Sequence, residues 1–220
     1  MKLLIKTALL LATLFISTFL IIKVTGVLTI DDIKQFFENI KAEPAYIVGG
    51  LVVLLLFADL FIAVPTMTVI LLAGFFLGFN SALLYAFIGL FFAAITGYIL
   101  SRTWGEKILI RIERDKQKRD EMHNLFNQHG VLVLILSRAM PVLPEVSACL
   151  AGASKMPFIR FLWAWGLGTI PYLLIVSYAG SVSDVDNPTP AILTAIGVTA
   201  TLWLAWMGFL RFQIQGKSKG

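Results

Sequence analysis

Two ionisable residues of opposite charge lie inside apolar stretches of this chain, at matching distances from a proline. Asp59 precedes Pro65 by six residues, and Arg138 precedes Pro144 by six. A charge at the centre of a bilayer costs roughly 3 kcal/mol or more, so such residues are rare and usually belong to a pathway. The guanidinium of Arg138 has several N–H donors in one plane, an arrangement that suits the binding of phosphate oxygens. The pattern therefore predicts a transport protein with an anion site inside a duplicated membrane fold.

Glu145 directly follows Pro144 and is the third candidate site residue. A proton exchanged at Asp59 or Glu145 would be able to drive transport. Two structural alternatives stay open. Arg138 would form a permanent salt bridge with one of the two acids, and Glu145 would serve only to stabilise a helix N-terminus. The functional and structural roles are compatible if the substrate displaces the internal partner.

The elements that must position these residues are broken helices. Pro65, Pro141 and Pro144 are predicted to break helices, because proline lacks an N–H group and clashes with the preceding turn. The triplet Leu72-Ala73-Gly74 recurs as Leu150-Ala151-Gly152 after the second break. Gly74 and Gly152 are predicted to permit close packing of helices.

Composition sets the class of protein. Hydrophobic residues make up 58% of the 220 positions and charged residues 14%, whereas soluble domains carry about 25% charged residues. A single cysteine, Cys149, excludes a disulfide framework, and the isolated His123 and His129 do not form a metal site. No nucleophile–base spacing is present, so we expect neither an enzyme nor a cofactor. The net charge of +5 is a signal of membrane topology and not of nucleic-acid binding.

The predicted fold is an all-α integral membrane protein. It is an inverted repeat of a re-entrant helical hairpin plus a transmembrane helix, flanked by N- and C-terminal transmembrane helices. Each arm of the second hairpin holds about 10 residues, or roughly 15 Å of helix, and is too short to cross a bilayer alone. The predicted segments, in chain order, are an N-terminal transmembrane anchor (1–28), an external amphipathic segment (29–44), a hairpin (45–79), a span (80–101), a cytoplasmic segment (102–129), a hairpin (130–155), a span (158–180) and a C-terminal transmembrane helix (190–212).

Lys and Arg positions predict the orientation. Lys2 and Lys6 place the N-terminus inside, and the basic segment 102–129 lies inside as well. The loop 181–190 carries two aspartates and no basic residue, so it is predicted to lie outside. The chain is thus predicted to be a multi-pass protein of the cell inner (plasma) membrane with both termini cytoplasmic.

Several motifs in the core, 45–180, resemble the DedA superfamily, and most closely its branch bearing the VTT domain, also called the SNARE-associated domain. The motifs are Gly97-Tyr98-x-x-x-Arg102-x-x-Gly105, Arg138-x-x-Pro141, Ala151-Gly152-x-Ser154-x-Met156 and Phe161. The resemblance implies paired, facing hairpins and the handling of lipids: phospholipid scrambling in eukaryotic relatives, and translocation of carrier lipids or phospholipids in bacterial ones.

The chain departs from the bacterial DedA pattern at two places. Pro144 stands where a second arginine usually follows the motif proline, and Thr66 and Met67 stand where an acid usually follows the first break. The preferred function is movement of a lipid headgroup, a phospholipid or a lipid phosphate, between two opposed hairpins. The alternatives are a proton- or ion-coupled carrier of a small solute and a non-transporting membrane scaffold. The expected partners are membrane lipids, with protons as a second partner, and no nucleic acid.

Overall fold

The computed structural model describes residues 44–62, 64–112, 115–139 and 143–183, together with Thr13 and most positions between 189 and 207. The predicted anchor 1–28, apart from Thr13, and the external segment up to residue 43 lie outside the described residues. Pro141 and the last residues of the predicted C-terminal helix do so too.

The described residues are helical and contain no β-strand, which confirms the all-α prediction. Within the described ranges, two apolar segments are long enough to cross a membrane, Thr66–Gly105 and Phe158–Ser181. The elements are α1 (Ala45–Ala58), α2 (Thr66–Ile112), α3 (Lys116–Leu136), a short 3₁₀ turn (Ser137–Ala139), α4 (Leu143–Ala153), α5 (Phe158–Ser181) and α6 (Ile192–Thr201).

Gly78 divides α2 into two limbs. Its backbone dihedrals (φ 75°, ψ 170°) are not helical, and glycine adopts a positive φ at no steric cost because it has no Cβ. We call residues 66–77 the return limb and residues 79–112 the long limb. The predicted span 80–101 falls within the long limb.

The chain reverses within the first unit. A Cβ at Gly49 would meet Tyr85, one at Gly89 would meet Leu56, and one at Gly97 would meet Leu60. Helix α1 therefore runs parallel to the long limb, and the return limb carries the chain back between them. Helix α1 has 14 residues, about 21 Å at 1.5 Å per residue, which is less than the ~30 Å of a bilayer core.

The second unit also contains two helices that run parallel to each other. The backbone of Ile135 in α3 lies against Gly168, and Arg138 contacts Thr169 and Tyr172 further along α5. Thus α3 runs parallel to α5, as α1 runs parallel to the long limb. Helix α5 is antiparallel to the long limb, as the following ring contacts show: Phe161 with Tyr98, Trp165 with Phe91, and Tyr178 with Phe79.

The apolar side chains form a buried core and an apolar outer surface. The core joins α1, both limbs of α2, α4 and α5. Outward-facing residues include Leu54, Phe92, Trp163 and Leu167, each more than half exposed. An exposed surface this apolar suits contact with lipid chains.

Candidate functional site

Asp59 ends α1, and its carboxylate organises the chain break that follows. The side chain is 6% exposed. Its Oδ1 accepts a hydrogen bond from the N–H of Val64 at 2.8 Å, and its Oδ2 accepts one from the hydroxyl of Thr66 at 2.6 Å. Pro65 disfavours helical backbone at Val64, so the chain stays extended there until the return limb begins. The acid thus satisfies one backbone N–H that the break leaves without a helical partner, and it also binds the Thr66 hydroxyl on the other side of the break.

Arg138 lies in the 3₁₀ turn that ends the first arm of the second unit. Its Nη2 donates a long hydrogen bond, 3.4 Å, to the hydroxyl of Thr169. Its guanidinium carbon lies 5.3 Å from the centre of the Tyr172 ring, within the range of a cation–π interaction. Its Nε is buried and has no hydrogen-bond partner among the described residues. The guanidinium is therefore held by weak contacts and keeps unused donor capacity.

Glu145 lies in the first turn of α4, directly after Pro144. A proline in this turn is tolerated because the first N–H groups of a helix have no intrahelical partner. A negative charge near a helix N-terminus is favourable. The carboxyl groups of Asp59 and Glu145 are near enough to interact with each other, and both are within electrostatic range of Arg138.

A small cavity brings the three candidates together. It is lined by Asp59, Arg138 and Glu145, by Leu90 and Ala93 of the long limb, and by apolar neighbours that include Trp165. About 20 Å³ is open to the centre of a water molecule, which is room for roughly one water. In this closed arrangement the cavity is too small for a phosphate group.

The cavity lies midway along the long limb. At 1.5 Å per residue, Ala93 is about 21 Å from Phe79 and about 18 Å from Gly105. The first unit turns at Gly78, at one end of this limb. The second unit turns after Ala153, which packs against Gly105 towards the other end. The two units thus turn towards opposite ends of this limb, and one described residue beside each break, Asp59 and Arg138, lines the cavity.

The structure places the remaining predicted residues as follows. Pro65 directly precedes the return limb, and Pro141 lies outside the described residues. A Cβ on Gly74 would lie 2.6 Å from the backbone oxygen of Ser177, and one on Gly152 would collide with the carbonyl oxygen of Tyr98. At both glycines another helix is therefore close enough to meet any side chain.

Sequence reasoning missed Thr169 and Tyr172, which contact Arg138 from α5. Thr169 is 2% exposed, and Tyr172 lies three residues further along, on the same helical face. The signal available was this polar pair flanking Pro171 inside an apolar span. Thr66, the partner of Asp59, was identified only as a departure from the DedA pattern.

A second polar cluster holds the far end of α4. The hydroxyl of Tyr98 donates to the carbonyl oxygen of Met156, and Nη1 of Arg102 donates to both of these oxygens. The Tyr98 ring stacks on Phe161 at 4.6 Å. These contacts tie the turn between α4 and α5 to the long limb. The described residues contain no group of three or more His, Cys, Asp or Glu side chains able to hold a metal ion.

Comparison with known proteins identifies the family to which the chain belongs. The sequence profile of the VTT domain family matches residues 64–182, more than half of the chain. The chain belongs to the VTT domain family, within the DedA superfamily. The match covers the return limb, the long limb, the 3₁₀ turn with Arg138, and helices α3 to α5.

Relatives occur in bacteria and archaea. Undecaprenyl phosphate transporter A of Bacillus subtilis is 28% identical over 138 residues, covering 59% of this chain and 70% of that protein. An uncharacterized protein of Methanocaldococcus jannaschii is 26% identical over 133 residues, covering 60% of this chain and 81% of that protein. Protein DedA of Escherichia coli is 28% identical over 95 residues, covering 40% of this chain and 43% of that protein. No solved structure matches the chain significantly.

Proposed function

We propose that this VTT domain protein moves a lipid headgroup, a phospholipid or a lipid phosphate, across the membrane, and that Arg138 binds its phosphate. The observation that carries the proposal is the state of the Arg138 side chain. Its guanidinium borders a cavity, and within the described part of the chain its buried Nε has no partner and its one hydrogen bond is the 3.4 Å bond to Thr169. A buried cation with unused donors is costly unless an anion completes it.

The proposal includes two re-entrant hairpins that form an inverted repeat. Its support is the parallel packing of α1 on the long limb and of α3 on α5, together with the opposite ends from which the breaks arrive. Irregular backbone is tolerated at membrane depth only where protein or a cavity surrounds it. The break at Asp59 meets this condition because its carboxylate binds Val64 and Thr66.

The proposed mechanism requires the closed cavity to open. The volume beside Arg138 holds about one water, so the two units must separate before a headgroup enters. In the closed state the carboxyl groups of Asp59 and Glu145 lie within electrostatic range of the Arg138 guanidinium. Once the cavity opens, the phosphate of the lipid takes their place beside the guanidinium. The orientation, with both termini cytoplasmic in an inner membrane, remains a prediction from the Lys and Arg distribution.

The name of one relative supports transport as the general activity. The Bacillus subtilis relative is named a transporter of undecaprenyl phosphate, which carries a phosphate on a long apolar chain. A site with one guanidinium suits that headgroup chemistry, and it suits phospholipids equally. The chain lacks the second arginine of the bacterial DedA pattern, since Pro144 occupies its position, so we propose the broader class of lipid phosphates.

The test is lipid flipping in proteoliposomes with acyl-labelled fluorescent phosphatidic acid and dithionite as the outer-leaflet quencher. Arg138→Ala is expected to reduce the rate to that of protein-free liposomes. Arg160→Ala is the matched control, because Arg160 is exposed at the start of α5, and it is expected to keep the wild-type rate. An unchanged rate for Arg138→Ala would rule out the anion-binding role.

A second candidate function is a proton-coupled carrier of a small solute. It is favoured by the two carboxyl groups, Asp59 and Glu145, beside a cavity of one-water size. This function predicts solute uptake that collapses with the proton gradient and with Asp59→Asn, whereas lipid flipping stays at background in every variant. The non-transporting scaffold predicts that a double variant, Arg138→Gln with Asp59→Asn, still rescues a deletion strain.

A further inference from the structure

A larger and mostly apolar groove, separate from the Arg138 cavity, is lined in part by Tyr172. Its volume is about 420 Å³, within the ~300–1,000 Å³ typical of ligand sites. Its walls come from the end of α3, the middle of α5 and one face of α6. They include Leu136, Leu167, Gly168, Tyr172, Gly197 and Val198.

Two glycines shape the groove in different ways. A Cβ at Gly197 would meet nothing within 4 Å, so this position leaves space open, whereas Gly168 packs directly on the backbone of Ile135 and holds α3 close to α5. Pro171 also lines the groove, and it lacks the N–H that would bond the carbonyl of Leu167. Helices α5 and α6 consequently face each other without filling the space between them.

Tyr172 connects the groove to Arg138. Its ring lines the groove and also lies over the guanidinium of Arg138, 5.3 Å from the guanidinium carbon. It is within electrostatic range of Asp59 and Glu145. One aromatic side chain thus contacts both the cationic group and the apolar groove.

This juxtaposition matches one kind of molecule, an anion attached to a hydrocarbon chain. We propose that the groove between α3, α5 and α6 binds a hydrocarbon chain of the same lipid whose phosphate Arg138 binds, so that the protein recognises head and tail together. The proposal rests on the proposed function. It differs from simple headgroup transport, in which every chain stays in the surrounding bilayer.

The size of the groove favours a lipid chain over a protein partner. An α-helix with its side chains is about 10 Å across and rises 5.4 Å per turn, so the volume holds no more than about one turn. A hydrocarbon chain is thinner and flexible enough to follow the wall. The apolar residues then contribute affinity by burying methylene groups, and the cation–π contact keeps Arg138 beside Tyr172, which lines the groove.

The variant that tests the groove is Gly197→Phe, because the open space at Gly197 accepts a side chain without a backbone clash. The benzyl group is expected to fill the groove and slow flipping of long-chain phosphatidic acid about tenfold, by removing contacts with a few methylenes. Ile196→Phe is the matched control. Ile196 is 62% exposed and does not line the groove, so this control is expected to keep the wild-type rate.

The result separates this proposal from the proposed function. If Arg138→Ala abolishes flipping and Gly197→Phe flips at the wild-type rate, the tail site is wrong and the headgroup function stands. If Arg138→Ala flips normally, the proposed function itself is wrong. Size-exclusion profiles and thermal melting in detergent establish that each variant is folded.

Photo-cross-linking of the wild-type protein tests the groove without a substitution in its walls. The probe is phosphatidic acid with a diazirine on one acyl chain, and the expected labelled peptides contain Leu167, Ile175 or Val198. Labelling is expected to fall at least several-fold in Arg138→Ala. Equal labelling by a diazirine diacylglycerol, or labelling that Arg138→Ala leaves unchanged, would show ordinary lipid contact and overturn the proposal.

Discussion

The hydroxyl of Thr66 donates a 2.6 Å hydrogen bond to Oδ2 of Asp59, across the chain break that separates α1 from the return limb. The other carboxylate oxygen accepts the N–H of Val64. In the DedA pattern an acid usually follows this break, whereas here a hydroxyl does and the acid precedes it. Asp59 therefore stabilises the first break by these two hydrogen bonds and also lines the cavity.

Loss of the hydrogen bonds between Asp59 and the residues after the break is expected to destabilise the fold by an amount that depends on the substitution. Asp59→Ala leaves the buried N–H of Val64 unpaired and should cost about 1–3 kcal/mol, whereas Asp59→Asn keeps an oxygen acceptor and should cost less than about 1 kcal/mol. Thr66→Val removes one donor and should cost about 1 kcal/mol. Denaturant titration in detergent micelles measures these values. An Asn variant that is less stable than the Ala variant would contradict the assignment.

Gly152 provides a prediction about packing alone. A Cβ at this position would collide with the carbonyl oxygen of Tyr98 and lie 3.0 Å from the amide nitrogen of Arg102. Because the obstacle is helix backbone, Gly152→Ala should destabilise the protein by about 1–3 kcal/mol. Gly50→Ala is the control, since a Cβ at Gly50 meets nothing within 4 Å. It should stabilise α1 by up to about 1 kcal/mol through helix propensity, and equal melting of the two variants would refute the packing argument.

The sequence predicted the helical class and the family because both depend on features that a linear pattern carries. Long apolar runs indicate helices able to cross a membrane, and the order of the motifs around Tyr98, Arg138 and Gly152 indicates the family. It also singled out the three charged residues that line the cavity, because a charge is conspicuous in an apolar run.

The contacts of those charged residues were not predictable in the same way. The sequence left open a salt bridge between Arg138 and Asp59, whereas the described contacts of Arg138 are with Thr169 and Tyr172. A threonine and a tyrosine in an apolar helix resemble ordinary interior residues, and only the parallel packing of α3 on α5 selects them. Gly78, which adopts a positive φ, was likewise not distinguishable in the sequence from the glycines that serve helix packing.

Tyr98 is expected to stabilise the end of α4 through its hydroxyl. Tyr98→Phe keeps the stacking on Phe161 but removes the donor to the carbonyl of Met156 and a partner of Arg102. The expected loss is about 1–2 kcal/mol in detergent unfolding. Tyr46→Phe is the control, because Tyr46 is 68% exposed, and it should leave stability unchanged. If both variants unfold at the same denaturant concentration, the hydroxyl network contributes nothing.

Tyr172 is expected to influence transport through its aromatic face. Tyr172→Leu removes the ring that lies over Arg138, and a cation–π contact of about 0.5–2 kcal/mol corresponds to a roughly 2- to 30-fold slower flipping of fluorescent phosphatidic acid. Tyr172→Phe keeps the ring and should stay within about twofold of the wild-type rate. Thr169→Val removes the hydroxyl that accepts from Nη2, and its effect should add to that of Tyr172→Leu only in part, because both residues hold the same guanidinium. Flipping in Tyr172→Leu at the wild-type rate would show that Arg138 needs no support from α5.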